Sequence, residues 1–392
     1  MAELHAVQLF FACAAALSAL CSGLGIVYTV LAGHLVRRFF SRPMIAPVRF
    51  PAVTVVKPLH GDEWQLLENL TSFVEQDYPT PVQYIFGVLD RCDAALKAVD
   101  ILRARFPEKH ITVVVDERVY GPNRKVANLT NMVGLAKHDV LCFADSDVRV
   151  GPRFLRDIVG ALQQPGVGLV TTVYRGLCAP GFWPRVSSAM TNYHFLPGVA
   201  TGLSIGRARP CFGQTIAMTR TTLLRIGGLA QFAHHLAEDY AIGEAVRRSG
   251  LSVAIPPFIV HHACVETTFS QLVAHELRWC RTIRAADRMG HLGAILMHPF
   301  PLALLAVLFS FGNPLAWGLV VLTLIVRAIL VWQTDRATGD SCSGLLWLPL
   351  WDVLQFRIYV ASFFSSCVLW RGQRFDVDED GLLSSRVQRD QA

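Results

Sequence analysis

The sequence predicts an α/β protein: a doubly wound, mostly parallel sheet, with one apolar helix ahead of it and two to three transmembrane or interfacial helices behind it. Three observations lead there. Between residues 53 and 147, short apolar runs alternate with segments of helical spacing, the pattern of βαβ units. The strand ends carry polar residues, Lys57, Asp90, Asp116 and Asp147, which is the layout of a ligand crevice off the carboxyl ends of the strands. The 392-residue chain is also 52% hydrophobic and only 17% charged, against roughly 25% charged in an ordinary soluble domain. Membrane segments around one sizeable soluble domain account for that balance.

Residues 10–31 contain no charge and are long enough to span a bilayer. A cleavable signal peptide is the alternative, but the first eight residues hold no Lys or Arg, and the basic cluster Arg37, Arg38 and Arg42 follows the apolar run. The positive-inside rule then makes residues 1–42 an anchor and basic flank, with the next domain in the cytoplasm. That domain takes residues 43–290 and opens on a Pro-containing linker, 43–52. A β-branched run at 53–56 ends at Lys57-Pro58, and a helical pattern at 66–74 stops at Gln76-Asp77-Tyr78-Pro79. Runs at 84–89 and 111–115 read as the second and third strands, ending at Asp90 and Asp116, with helices at 94–106 and 126–136.

The next strand, Val140-Leu141-Cys142-Phe143-Ala144, ends in Asp145-Ser146-Asp147. Paired carboxylates at a strand end suit a hard divalent ion, Mg2+ or Mn2+, whose remaining ligands are phosphate oxygens and water. An Asp-rich turn is the bland alternative. Neither G-x-G-x-x-G nor a Walker A sequence is present, so an ordinary dinucleotide site or P-loop is not supported. The net charge of +6 fits an anionic membrane surface or ligand and is too small and dispersed for nucleic acid. The ten cysteines are scattered without a C-x-x-C pair, so neither a zinc site nor a disulfide framework is indicated. A reducing setting for the soluble part follows.

Residues 181–203 mix aromatic and apolar side chains with few charges, either core or a surface for a membrane or apolar ligand. Cys211-Phe212-Gly213-Gln214-Thr215 precedes another short apolar run, and Glu238-Asp239-Tyr240 opens an amphipathic helix. A helix at 270–288 places Arg278, Arg281, Arg284 and Arg288 on one face. On spacing alone that face reads first as a solvated surface, then as a lipid-headgroup contact and last as a diphosphate contact. Residues 294–311 and 315–332 form a hairpin around Gly312-Asn313-Pro314. A third apolar stretch, 345–370, holds Asp352 and Arg357, charges that must pair or sit at an interface. The membrane region is thus 291–370, followed by a polar tail, 371–392; the side of the C-terminus stays open.

In order, these motifs resemble the inverting, family 2-type glycosyltransferases of the GT-A fold, in their ceramide glucosyltransferase-like branch (family 21). The resemblance rests on Asp90 in Gly87-Val88-Leu89-Asp90, on Asp145-Ser146-Asp147, on Asp239 in Glu238-Asp239-Tyr240, and on His275-Glu276-Leu277-Arg278-Trp279. Val55-Val56-Lys57-Pro58-Leu59-His60-Gly61 and Gly121-Pro122-Asn123-Arg124-Lys125-Val126-Ala127-Asn128-Leu129 also match. It covers residues 50–290 and the flanking membrane segments. The family's Gln is His275 here, which resembles bacterial enzymes that glycosylate an extended hopanoid. The resemblance implies a UDP-sugar donor, UDP-N-acetylglucosamine in that subgroup, and a lipid acceptor, bacteriohopanetetrol or, alternatively, ceramide with UDP-glucose.

It implies roles as well. Asp90 contacts the uracil or ribose, Lys125 the phosphates, and Asp147 with Asp145 the divalent ion. Asp239 is the general base, because a sugar-accepting hydroxyl has a pKa far above 7 and needs a proton acceptor in the transition state. Arg278 pairs with the diphosphate and Trp279 stacks on donor or acceptor. An acid at a helix N-terminus and a core aromatic are the plain readings of Asp239 and Trp279. The implied place is the bacterial inner membrane, with the catalytic domain facing the cytoplasm. A processive polysaccharide synthase, and a sugar-nucleotide-binding scaffold without activity, are the competing functions; few membrane segments argue against the first and an intact acidic set against the second.

Overall fold

The structure, a computed structural model, describes residues 2–341, 344–364, 367–370, 373–377 and 383–385. The chain divides into two compact units. A sheet unit takes Arg42–Ala179, Pro210–Val265 and the residues from 375 onward; a helical unit takes Met1–Ser41, Pro180–Arg209 and Glu266–Arg374.

Up to residue 265 the strands of the sheet unit, in chain order, are β1 (Val53–Pro58), β2 (Val82–Val88), β3 (His110–Val115), β4 (Val140–Ala144), β5 (Val148–Arg149), β6 (Val167–Thr171), β7 (Val173–Cys178), β8 (Thr215–Thr219), β9 (Ser252–Ala254) and β10 (Ile259–Cys264); three further described strands, Cys367–Trp370, Gln373–Val377 and Leu383–Ser385, form a small sheet of their own. Seven of them form one sheet in the order β3-β2-β1-β4-β8-β6-β9. The pairs from β3 through β4 are parallel, as expected, and so is β6 with β9. β8 is antiparallel to both neighbours, so the sheet is mixed. No short strand–helix–strand crossover delivers β8; the chain reaches it after residues 180–209, which belong to the other unit, and the rule that makes crossovers parallel has no hold there. Strands β1 and β4 are buried along almost their whole length, which is why they read as unbroken apolar runs rather than alternating ones. Val56, Ile85, Leu141, Leu169 and Met218 from five strands pack with Val126, Leu129 and Met132 of the Arg124–Val133 helix. A smaller sheet, β5-β10-β7, sets β10 antiparallel to β5.

In the helical unit, the Ala2–Phe40 helix packs against the Pro299–Phe309 and Pro314–Thr338 helices. Among the described residues two helices are long and apolar enough to cross a membrane, Glu3–Phe40 and Pro314–Thr338. The first arm of the expected hairpin is not one straight helix: Arg288–Met297 and Pro299–Phe309 meet at 68°, and together they would make a third span. Pro299, directly after the break, lacks the N–H that would carry the helix through. The expected turn is present, with Gly312 at φ 85° and Asn313 capping the next helix through Leu315 N–H.

Of the third apolar stretch, the Leu348–Ala361 helix has 14 residues, about 21 Å at 1.5 Å per residue and short of a hydrocarbon core of about 30 Å. Its Asp352 pairs with Arg327, as a buried charge must. Removing either partner would strand the other at a cost of about 3–5 kcal/mol. Arg288 is also displaced from expectation. The Phe269–Ala286 helix ends at Asp287, whose carboxylate accepts Gly290 N–H and caps a new helix, so Arg288 leaves the face of Arg278, Arg281 and Arg284.

Candidate active site

The carboxyl edge of β2, β1 and β4 gathers the polar strand ends. Asp90 follows β2, is exposed, and folds back to accept Cys92 N–H at 2.8 Å. Gly87, in the same strand, allows a close approach: a Cβ there would lie 2.4 Å from Asn128 Oδ1, and its carbonyl accepts Asn128 Nδ2 at 2.8 Å. Asp145 and Asp147 follow β4. Because β8 runs antiparallel to β4, its entry shares that edge, and Asp145 N–H donates to Gln214 O at 3.1 Å.

Lys125 is the hub of the cluster. Asn123 caps its helix by accepting Val126 N–H, while its amide donates to Glu238 Oε2 at 3.0 Å. That ties the start of the Arg124–Val133 helix to the start of Glu238–Arg248. Lys125 Nζ then lies 2.6 Å from Asp145 Oδ1 and 3.0 Å from Glu238 Oε1, and donates to Gly213 O at 3.3 Å. These acceptors occupy the three donors of an ammonium. Burial alone would lower the Lys125 pKa, but Asp145 and Glu238 hold it well above the ordinary lysine value.

Asp239 sits one residue on from Glu238 and is half-buried. Its Oδ2 accepts Gly213 N–H at 2.7 Å and its Oδ1 accepts Tyr240 N–H at 2.8 Å. Burial, then the Glu238 charge, push its pKa up to about 7, against the opposing pull of Lys125 and the two backbone donors. Gly213 therefore joins the two halves of the site, its carbonyl on Lys125 and its N–H on Asp239. A Cβ at Gly213 would lie 3.0 Å from Lys125 Nζ and 3.1 Å from Asp239 Oδ2. Gly213→Ala is expected to cut turnover on the order of 10²-fold through that displacement, with little change in the melting temperature. Wild-type turnover in the folded variant would show that the spacing does not matter.

Asp147 meets β10, which β5 brings alongside: Ala263 N–H donates to Asp147 O at 3.1 Å, and His262 Nδ1 lies 3.2 Å from Asp147 Oδ2. Burial would raise the Asp147 carboxyl, but His262 holds it below the usual range. Beneath it, Lys57 is fully buried, with Nζ 3.6 Å from the Phe73 ring centroid. Burial lowers Lys57 to about 7 against the raising influence of Asp147 and Asp145. Glu63, hydrogen-bonded to Ser146, is raised to about 7 by burial and then by Asp147.

Four carboxyl groups (Asp145, Asp147, Glu238 and Asp239) thus share the site with Lys125 and Lys57; burial raises Asp145 and Asp239 as it lowers Lys57, so acidic groups outnumber basic ones and two of the acids are held toward the neutral form. Asp147 Oδ1 is buried with no hydrogen-bond partner among the described residues. This donor set fits a hard divalent cation held by Asp147, with Asp145 and His262 beside it. Among the described residues no three His, Cys, Asp or Glu side chains are gathered as a metal cage.

His275, Arg278 and Trp279 stand on the Phe269–Ala286 helix of the helical unit, which begins with a Thr268/Gln271 capping box. His275 Nδ1 is 2.5 Å from Glu266 Oε1, and the Trp279 ring is 4.5 Å from the imidazole, edge to face. Burial would raise Glu266, but the hydrogen bond and charge of His275 hold it at about 2. The structure thus brings Lys125, Asp145 and Asp239 into one cluster with Asp147 at its edge, leaves Asp90 farther along the same edge, and carries the other three on the second unit. Sequence reasoning missed His262, Gly213 and Glu266 as site residues. His261-His262 inside an apolar strand was the available signal for the first; nothing in the spacing marks the other two.

Comparison with known proteins gives the family and the fold. The profile of Glycosyl transferase family 21 matches residues 17–383. Ceramide glucosyltransferase 1 of Caenorhabditis elegans is 22% identical over 348 residues, covering 85% of this chain and 73% of that protein. Ceramide glucosyltransferase 3 of the same organism is 23% identical over 360 residues, covering 85% and 74%. Among solved structures, mannosyltransferase PcManGT from Pyrobaculum calidifontis, in complex with GDP-Man and Mn2+, superposes with a TM-score of 0.52 at 19% identity, covering 90% of this chain and 99% of that one. That likeness bears on the fold, and it is the GT-A fold expected from the motifs. With the profile spanning nearly the whole chain, the protein belongs to glycosyl transferase family 21 and is a glycosyltransferase.

Proposed function

We propose that this enzyme is an inverting, membrane-bound transferase that moves a sugar from a UDP-sugar to a lipid hydroxyl. The observation that carries the proposal is the Gly213 junction, which holds the Asp239 carboxylate beside the Lys125–Asp145–Glu238 cluster. One side of that junction suits a base, and the other would suit a diphosphate once a divalent cation offsets its carboxylates. Asp239 takes the proton from the acceptor hydroxyl as its oxygen attacks the anomeric carbon; the C–O bond to UDP breaks on the opposite face, and the configuration inverts. Lys125 offsets the charge building on the departing diphosphate, and Asp90 contacts the uridine. A divalent cation at Asp147 and Asp145, when bound, stabilises that same charge. By the family's motif Arg278 pairs with the diphosphate and Trp279 stacks on a sugar or acceptor.

Two acceptors are supported by different observations. The relatives named ceramide glucosyltransferases favour ceramide with UDP-glucose. His275, where the family carries Gln, favours the polyol of an extended hopanoid with UDP-N-acetylglucosamine. Purified protein given each donor with bacteriohopanetetrol or ceramide, and mass spectrometry of the product, decides between them. A single-sugar lipid is expected; a polymer would point to a processive synthase, and no product would refute the reading. His275→Gln should change acceptor turnover more than donor affinity, and equal effects on both would remove His275 from acceptor recognition.

The bacterial inner membrane, with the sheet unit in the cytoplasm, follows from the supply of UDP-sugars there and from Arg37, Arg38 and Arg42 after the first span. Cys92 is exposed on the sheet unit. In a background without the other cysteines, an impermeant thiol reagent outside intact cells should leave it unlabelled. Labelling from outside would reverse the topology.

A further inference from the structure

We propose that a buried polar cluster within the helical unit binds the hydroxyl- or amide-bearing head of the lipid acceptor, an inference that rests on the lipid-acceptor reading above. Arg327, on the Pro314–Thr338 helix, grips Asp352 with two hydrogen bonds, Nε to Oδ2 at 2.8 Å and Nη2 to Oδ1 at 2.7 Å. Its Nη1 donates to Tyr193 O at 3.0 Å. The two side chains are 2% and 1% exposed, and their charges cancel. His194 Nε2 touches both members of the pair, 2.8 Å from Asp352 Oδ1 and 2.9 Å from Arg327 Nη2. His298 stacks on His194, with ring centroids 5.6 Å apart.

Both histidines sit where a helix is irregular. His194 lies in the π-helical turn Thr191–Phe195, and His298 lies at the 68° break before Pro299. Single π turns recur at functional sites, and irregular backbone among membrane helices is tolerated where it is enclosed by protein or lines a polar site.

The ring nitrogens give the cluster its direction. His194 and His298 are 3% and 4% exposed, yet the Nδ1 of each has no hydrogen-bond partner among the described residues. Gln355 Oε1, one turn along the helix from Asp352, is in the same condition. Buried polar atoms in native proteins are almost always paired, so the two histidine nitrogens call for a partner of matching chemistry, with Gln355 a further candidate on the Asp352 helix.

That ligand is neutral, because the Arg327–Asp352 pair leaves no charge to meet an ion and burying an unpaired one is prohibitive. His194 Nε2 either donates to Asp352 or accepts from Arg327, and Nδ1 then takes the opposite role. A hydroxyl, both donor and acceptor, fits either tautomer. Lipids that accept a sugar carry such groups; a phosphate headgroup is excluded by its charge.

The test measures binding rather than transfer, so it is separable from the transferase reading. Full-length protein in micelles is titrated with a short-chain fluorescent ceramide and with bacteriohopanetetrol, each compared with its O-methyl ether. Wild type should bind at least one free-hydroxyl lipid about tenfold or more tighter than its ether. His298→Phe and His194→Phe should abolish that preference, and His298→Asn, which keeps a polar atom near the Nδ1 position, should restore part of it. If the phenylalanine variants do not fold, His298→Asn against His298→Leu and Gln355→Leu decides the matter. No preference in wild type for either lipid, or an unchanged preference in folded His298→Phe or His298→Leu, overturns the proposal and leaves ordered water as the occupant. Lipid binding with the expected preference but no sugar transfer would sink the transferase reading while leaving this site standing.

Discussion

Asp239→Asn lowers the transfer rate by a factor on the order of 10²–10⁴ and leaves UDP-sugar affinity nearly unchanged. The amide has the shape of the carboxylate and can still accept Gly213 N–H through its oxygen, so the loss isolates the proton-accepting role. Calorimetry for the donor and initial rates for the acceptor read the two effects separately. Near-wild-type transfer would move the base to Glu238, although the Lys125 ion pair makes Glu238 the poorer proton acceptor.

The same residue sets the pH dependence. Burial and Glu238 raise Asp239 to about 7, and the base acts only when ionised. The acid limb of kcat/KM should therefore fall near pH 7, and the residual rate of Asp239→Asn should lack it. Stability moves the other way. Between the ordinary aspartate pKa of about 3.9 and about 7, folded Asp239 holds a proton that the unfolded chain has released. Its contribution to stability is thus complete below that lower value and is lost as pH rises through about 7. The enzyme becomes active over the range in which this site becomes less stable, and Asp239→Asn should flatten that part of the melting profile. A melting temperature that falls equally in the variant would assign the change to another group.

Asp147→Asn is the second large effect. It should remove most activity while the circular dichroism spectrum and melting profile stay close to wild type, because a neutral amide is a weaker ligand for a hard cation. The buried, unpartnered Asp147 Oδ1 is the atom concerned. EDTA should inhibit the wild type, and Mg2+ or Mn2+ should restore the rate. Full activity in EDTA together with an unimpaired variant would remove the metal from the mechanism and leave Lys125 as the charge facing the diphosphate.

Much of this was readable in the residues themselves, for a local reason. The helix at Leu66–Val74 and the strands Val53–Pro58 and Val82–Val88 follow from side-chain periodicity and from where apolar runs stop. The Asp145-Ser146-Asp147 motif declares a carboxylate pair because its two members are next neighbours but one. Apolar length marked residues 10–31 and 315–332 as able to cross a membrane, and they lie within the helices Glu3–Phe40 and Pro314–Thr338. The cost of a buried charge required a partner for Asp352, without saying which residue it would be.

What only the tertiary structure decided are the meetings between distant segments. Lys125, Asp145, Gly213 and Glu238 converge because β8 runs antiparallel to β4 and enters at that strand's carboxyl edge; strand order is a choice made over the whole chain and leaves no periodic trace. His262 reaches Asp147 for the same reason, through a second sheet whose strands lie far apart in sequence. The pairing of Arg327 with Asp352, and the stacking of His194 on His298, depend on how helices of similar apolar character pack. Hydropathy sees those helices as interchangeable, whereas packing selects one mutual rotation, and with it which buried polar side chains meet.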